Sequence, residues 1–236
     1  MQAEAQEIYQ GEREDEAATP IVLIHDGGGT VFQYYMLEYL GRRTYAIANP
    51  YFESGSKPEG GLPELAKEYV KAIQAAIGNG PVILGGWSFG GMISVEVARL
   101  FQETPSPIHV VGIIMIDSFC PWSQGPWLTE PSTPRFRPTT SQRMKELTIK
   151  SFTHAREMIA SWEMPAAFKA PPVAMIQAEE VRELDEEDGK LGWSKFECLN
   201  FVSTETVPGN HFSMFNDDRV AGITRKIRSA CEHFAA

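Results

Sequence analysis

Ser88 sits at the centre of Gly86-Trp87-Ser88-Phe89-Gly90, with a third glycine, Gly91, directly behind. A serine flanked at minus two and plus two by glycine is what a chain needs to leave a strand and enter a helix in one tight turn. Side chains at those two places would strike neighbouring backbone, so the spacing has a steric cause. The context agrees: the apolar run Pro81-Val82-Ile83-Leu84 comes before the turn and a helix-period stretch from Met92 to Phe101 comes after it. The chemistry such a turn serves is nucleophilic attack, for which a bare hydroxyl is weak and needs a base beside it. The positive end of the following helix also favours negative charge developing there.

Five histidines are available: His25, His109, His154, His211 and His233. In strand–elbow–helix hydrolases the chain order is serine, acid, histidine, which removes His25 as the base. His109 opens a strand, His154 falls in a helix of the insertion described below, and His233 lies in the terminal helix. His211 follows the last apolar strand in Pro208-Gly209-Asn210-His211, the loop position that a catalytic histidine requires. The acid has two possible positions. Asp117 ends the strand Val110–Ile116, so its carboxylate leaves the sheet at the same edge as Ser88. Glu179, Glu180 and Asp185 follow the strand Pro172–Ile176 but belong to an acidic run. Asp117 is the preferred member, expected to hold the histidine tautomer and stabilise the imidazolium.

Acyl transfer also needs two donors for the developing oxyanion. Phe89, directly after the serine, supplies one backbone N–H. Gly27 or Gly28, in His25-Asp26-Gly27-Gly28-Gly29, supplies the other. Asp26 would repel the oxyanion, so its side chain is expected to turn away.

These residues need a scaffold, and the order of elements provides one. Strands are read at 20–24, 44–48, 81–84, 110–116, 172–176 and 201–207. Helices are read at 31–40, 62–77, 92–101, 141–162 and 217–234. Strands alternating with helices predict an α/β fold, a mostly parallel sheet with helices on both faces. The 236 residues fit one domain, 1–236, and the 43% hydrophobic and 22% charged composition is that of an ordinary globular chain. The net charge of −10 disfavours nucleic acid and anionic membrane as partners. The stretches from Glu4 to Asp15 and from Glu179 to Asp188 read as solvated surface. Three cysteines, Cys120, Cys198 and Cys231, give no disulfide framework and no metal spacing, and with no apolar leader they point to a cytoplasmic protein.

With these positions in hand, the chain resembles the thioesterase domains of polyketide and nonribosomal peptide synthases, fungal ones in particular, within the α/β-hydrolase superfamily. The resemblance is carried by Ile24-His25-Asp26-Gly27-Gly28-Gly29-Thr30, Gly85-Gly86-Trp87-Ser88-Phe89-Gly90-Gly91, Ile116-Asp117-Ser118 and Pro208-Gly209-Asn210-His211-Phe212. It implies an α/β-hydrolase fold with a helical lid insertion at about 118–170. It also implies transfer of an acyl or peptidyl chain from a phosphopantetheine carrier to serine, then release by water or by an internal nucleophile. An acyl or peptidyl carrier protein or synthase is the expected partner, and no dissociable cofactor or metal is expected. Trp87, Phe119, Trp122, Trp127, Phe152 and Phe212 are candidates to line an acyl channel, though at helical spacing such residues are equally core. The stretch 131–156 holds Arg135, Arg137, Arg143, Lys145, Lys150 and Arg156 against Glu146 alone, a basic face suited to an acidic carrier. A carboxylic-ester hydrolase acting on free small molecules would use the same residues.

Overall fold

The computed structural model describes residues 2–9, 17–122, 136–164, 168–180 and 189–234. Trp127, Arg135 and Asp185 lie outside them. Among the described residues seven strands form one sheet: β1 (Ala5–Tyr9), β2 (Ile21–Ile24), β3 (Thr44–Ile47), β4 (Gly80–Trp87), β5 (Ile108–Ile116), β6 (Val173–Ala178) and β7 (Phe201–Val207). Their order is β1-β3-β2-β4-β5-β6-β7. β1 pairs antiparallel with β3, and every other neighbouring pair is parallel. The fold is the expected α/β-hydrolase type, a mostly parallel sheet flanked by helices.

The central strands are apolar throughout because both their faces are covered. Alternate residues of β2 serve opposite layers. Val22 and Ile24 pack with Leu62, Leu65 and Ile93, while Ile21 and Leu23 pack with Ile223 and Ile227. The first layer belongs to α1 (Gly61–Ile77) and α2 (Phe89–Glu103), the second to α4 (Val220–Glu232). The fully buried Leu62, Leu65, Ala66, Tyr69 and Ile73 recur at the helical period of α1, which stops at Gly78 with φ 78°.

Two elements differ from the sequence reading. The stretch 31–40 is not an α-helix: it holds one short 3₁₀ helix, Phe32–Met36, followed by extended backbone at Leu37. Tyr34, Leu37 and Leu40 are buried at three-residue intervals, a spacing that imitates an amphipathic α-helix although only Tyr34 lies in the 3₁₀ turn. The acidic N-terminal stretch is not surface alone, because Ala5–Tyr9 forms the edge strand β1, with Ala3 and Ala5 buried.

The long connection from β5 to β6 carries α3 (Gln142–Ala160), whose first turn is capped by Ser141 Oγ accepting the Met144 N–H at 3.3 Å. The two ends of this insertion meet. Trp122, near its start, packs on Trp162, just beyond α3, with ring centroids 5.2 Å apart, and Trp193 and Phe196 close the cluster. Trp162 Nε1–H also donates to the buried Glu96 carboxylate of α2 at 3.2 Å.

Candidate active site

The tight turn after β4 is built as its glycines require. A Cβ on Gly86 would stand 2.6 Å from the Gly90 carbonyl carbon and 2.7 Å from Ile24 O. One on Gly90 would strike the Ile24 and His25 carbonyl oxygens. The backbone of β2 therefore crosses directly over the turn, and only glycine fits beneath it. Ser88 takes φ 56°, a strained conformation for a residue with a side chain. Its N–H donates to Ile116 O at 2.8 Å, and its carbonyl accepts from Ser118 Oγ at 2.7 Å. Both bonds tie the turn to the end of β5.

Asp117 follows directly after β5 and is also strained, at φ 47°. Its N–H donates to Ile176 O at 2.7 Å, and its Oδ1 accepts the Ala178 N–H at 2.9 Å. The side chain, 1% exposed, is thereby fixed against the end of β6. Its other oxygen, Oδ2, lies 2.7 Å from His211 Nδ1. Asp117 and His211, 94 residues apart, meet as the strand-end argument requires. Glu180, one of the rival acids, accepts instead from Asn210 Nδ2 at 3.3 Å.

His211 rides on a loop that folds on itself. Asn210 Oδ1 accepts the Phe212 N–H at 3.1 Å, and Ser213 Oγ accepts the Asn210 N–H at 2.9 Å. Three aromatic rings surround the imidazole: Trp87 at 5.1 Å, Phe119 at 5.9 Å and Phe212 at 5.0 Å between centroids. Trp87 is the residue before Ser88, so the elbow and the histidine are neighbours. No hydrogen bond joins Ser88 Oγ to His211 in this structure, and such contacts often tighten only once substrate is bound.

The glycine loop after β2 holds the largest departure from expectation. Asp26 does not turn away. It is 8% exposed, lines the same cavity as Asp117 and His211, and its Oδ1 accepts the Gly28 N–H at 3.0 Å. Burial pushes its carboxyl up to about 6, while attraction to His211 and the loop's N–H groups pull it back in part. The Gly28 N–H is thus already engaged, leaving Gly27 beside Phe89 as the loop's candidate donor. Behind the loop, His25 Nδ1 sits 2.6 Å from Asp26 O and its Nε2 2.6 Å from Tyr69 Oη. Burial lowers His25 to about 4, so the ring is neutral: Nδ1–H donates to the carbonyl and Nε2 accepts the tyrosine proton.

A cavity of about 950 Å³ is lined by Asp26, Gly28, Trp87, Asp117 and His211. Met144, Thr148 and Phe152, four residues apart, present one stripe of α3 to it, and Trp87, Phe119 and Phe212 line it as the sequence suggested. Phe152 lies flat enough on the glycine loop that a Cβ on Gly27 would come within 2.7 Å of its ring. Trp122 is a correction: it is absent from the cavity wall and belongs to the tryptophan cluster at the base of the insertion. A tryptophan beside a proline-rich stretch reads the same from sequence whether it seals an insertion or lines a channel. The basic face is smaller than its residue count. Arg143 pairs with Glu53 at 2.8 Å, the Lys150 side chain lies against Gly55, and Arg137 lines the cavity.

Ala178 is a site contributor that sequence reasoning passed over, because it acts through a backbone N–H and leaves no motif. Ser118 stood beside Asp117 in the sequence reading but was given no role, and its hydroxyl ties the turn to the end of β5. Asp26 was visible, but the direction of its side chain was not. Among the described residues, no cluster of histidine, cysteine or acid could hold a metal ion, and no helix is long and apolar enough to cross a membrane.

Comparison with known proteins identifies the family. The family model described as Thioesterase domain matches residues 19–231. Thioesterase AMT4 of Alternaria alternata is 36% identical over 234 residues, covering 96% of this chain and 90% of that protein. The probable thioesterase gloN of Glarea lozoyensis is 34% identical, with coverage of 90% and 89%. Part of the nonribosomal peptide synthetase imqB of Aspergillus flavus, 8% of its length, is 30% identical over 90% of this chain. Among solved structures, the NocB thioesterase domain from the nocardicin cluster superposes with a TM-score of 0.76 at 23% identity, covering 93% of this chain and 96% of that one. The chain belongs to the thioesterase domain family.

Proposed function

We propose that this chain is a serine thioesterase that releases a polyketide, acyl or peptidyl chain from the phosphopantetheine arm of a carrier protein. The observation that carries the reading is the 2.7 Å contact between Asp117 Oδ2 and His211 Nδ1, made beside the turn that presents Ser88. Relatives named as thioesterases and a synthetase containing a similar segment support the carrier as the source of substrate.

In this mechanism Ser88 Oγ attacks the thioester carbonyl carbon and gives its proton to His211 Nε2. Asp117 holds the Nδ1–H and stabilises the imidazolium. The carbonyl oxygen, now anionic, accepts from the N–H groups of Phe89 and Gly27. Collapse of the intermediate breaks the carbon–sulfur bond, and His211 returns the proton to the departing thiol. Water or a nucleophile within the chain then attacks the acyl-enzyme with His211 as base, and Ser88 recovers its proton. Every step uses groups of the chain, with no metal or dissociable cofactor. Trp87, Phe119, Phe152 and Phe212 form the apolar wall for the acyl chain.

The test is intact-mass analysis of a carrier loaded with candidate acyl groups. The wild type should unload the carrier, and Ser88→Ala should neither unload it nor gain acyl mass. A matched oxygen ester is run in parallel. Faster turnover of the free oxygen ester than of the carrier thioester would replace this reading with that of a carboxylic-ester hydrolase.

A further inference from the structure

Asp26 is a carboxylate buried in the wall of the reaction cavity, on the loop whose Gly27 N–H faces the reacting carbonyl in the mechanism above. Its hydrogen-bond partners are backbone N–H groups of its own loop, that of Gly28 at 3.0 Å among them. Asp117, the other buried acid of the cavity, already has an imidazole on one oxygen and the Ala178 N–H on the other. Among the described residues Asp26 has no side-chain hydrogen-bond partner, and the charge that acts on it is that of His211, which Asp117 already holds. A carboxylate taken out of water without a cation is costly, and a ligand that supplies one recovers that cost. Burial raises the carboxyl to about 6 even though His211 and the loop N–H groups pull it down.

The position limits which part of a substrate could do this. A carbonyl oxygen on the Gly27 N–H sits one residue along the loop from Asp26. The substituent on the adjacent α-carbon is then the nearest part of the acyl chain, since an α-nitrogen lies roughly 2.5 Å from the carbonyl carbon by bond geometry. An α-ammonium has three donors and full charge, and matches a carboxylate better than any neutral group. The rest of the cavity near His211 is aromatic, suited to the side chain of the same unit.

We propose that Asp26 is a specificity-determining residue that binds the α-ammonium of the acyl unit, so that the protein selects aminoacyl thioesters over their des-amino counterparts. This rests on the thioesterase reading and narrows it to single aminoacyl units, since the α-nitrogen of a peptidyl chain is an uncharged amide and a polyketide or plain acyl chain has none. The test compares phenylalanyl-pantetheine with 3-phenylpropanoyl-pantetheine, which differ by the amine alone. The wild type should prefer the first by about tenfold or more in kcat/KM, the scale of one charge-assisted hydrogen bond. Asp26→Asn keeps an oxygen for the Gly28 N–H and removes the charge, and Asp26→Ser keeps a shorter acceptor. Either variant, if folded by its thermal melt, should lose that preference. In parallel, binding of phenylalaninamide and 3-phenylpropanamide to the Ser88→Ala protein reads the site without turnover. Equal handling of the two members of each pair by wild-type Asp26, or a preference that survives in both variants, overturns the proposal. Consumption of neither thioester, with a clear binding preference for the amine, would count against the thioesterase reading and leave the ammonium site supported.

Discussion

Two regions face each other across the cavity and are held by different forces. On one side, Ser88 and Asp117 sit at the ends of β4 and β5, with their backbones in the parallel ladder or bonded to it. Their strained φ values of 56° and 47° persist because strand pairing and glycine packing dictate them. On the other side, α3 touches the body of the protein mostly through side chains. Arg143 meets Glu53, Lys57 meets Glu157, and the His154 ring lies 3.1 Å from Ser56 O. Exposed ion pairs of this kind contribute about 0–1 kcal/mol each. The candidate catalytic residues are therefore anchored in the backbone of the sheet, whereas α3 is held by side chains, the buried Ala155 and Met158 together with exposed ion pairs. A fold so divided can change its substrate without disturbing its reaction.

The sharpest test of the rigid side is Asp117→Asn. It keeps the shape but offers His211 the wrong hydrogen-bond partner, and kcat should fall on the order of 10⁴-fold with little change in KM. A loss of tenfold or less would mean that the strand-end carboxylate does not orient the base. Next in size is Trp162→Ala at the foot of the insertion. It removes a buried ring and leaves the Glu96 carboxylate without its indole donor, so chemical denaturation should register a loss of about 3–5 kcal/mol. An unchanged midpoint would show that the insertion is not fastened there.

A third test concerns the loop between the two regions. His25 titrates at about 4 in the fold against 6.5 free, so between those values the unfolded chain binds the proton and stability rises with pH. Asp26 titrates at about 6 against 3.8, so the folded chain keeps the proton longer and stability falls over nearly the same range. Each effect is about 3 kcal/mol, and in the wild type they oppose one another. Asp26→Asn should expose the effect of His25 as a gain of stability from pH 4.5 to 6.5, read by thermal unfolding. A variant whose stability matches the wild type's pH dependence would remove this balance. Smallest of all, Arg143→Glu should change stability by less than about 1 kcal/mol, while altering KM for long acyl chains more than for short ones. A change in kcat equal for both lengths would erase the distinction between the two sides.

The sequence reading did well where geometry follows directly from residue type. The glycines at 86 and 90 demand an elbow because β2 backbone passes over them, and a single acid behind a long apolar strand has one edge at which to emerge. Asp117 and His211 were found on those grounds. It did less well where direction matters. Asp26 was judged by charge repulsion alone, whereas backbone N–H groups of its own loop hold the carboxylate inward. Trp122 and Phe152 look alike on paper, yet one seals the insertion and the other lies on the glycine loop. β1 was hidden because a short edge strand with polar alternate positions resembles solvated chain.

The contact of Trp122 with Trp162 has a consequence for how such proteins diversify. Whatever path the chain takes between those two rings, it leaves and returns through one gate, where the rings pack with centroids 5.2 Å apart. The entropy of closing a longer or shorter excursion changes only slowly with length, by about 0.6 kcal/mol per doubling. The excursion can therefore be exchanged as a cassette, trimmed, extended or rewritten, while the hydrolytic machinery beyond the gate keeps its shape.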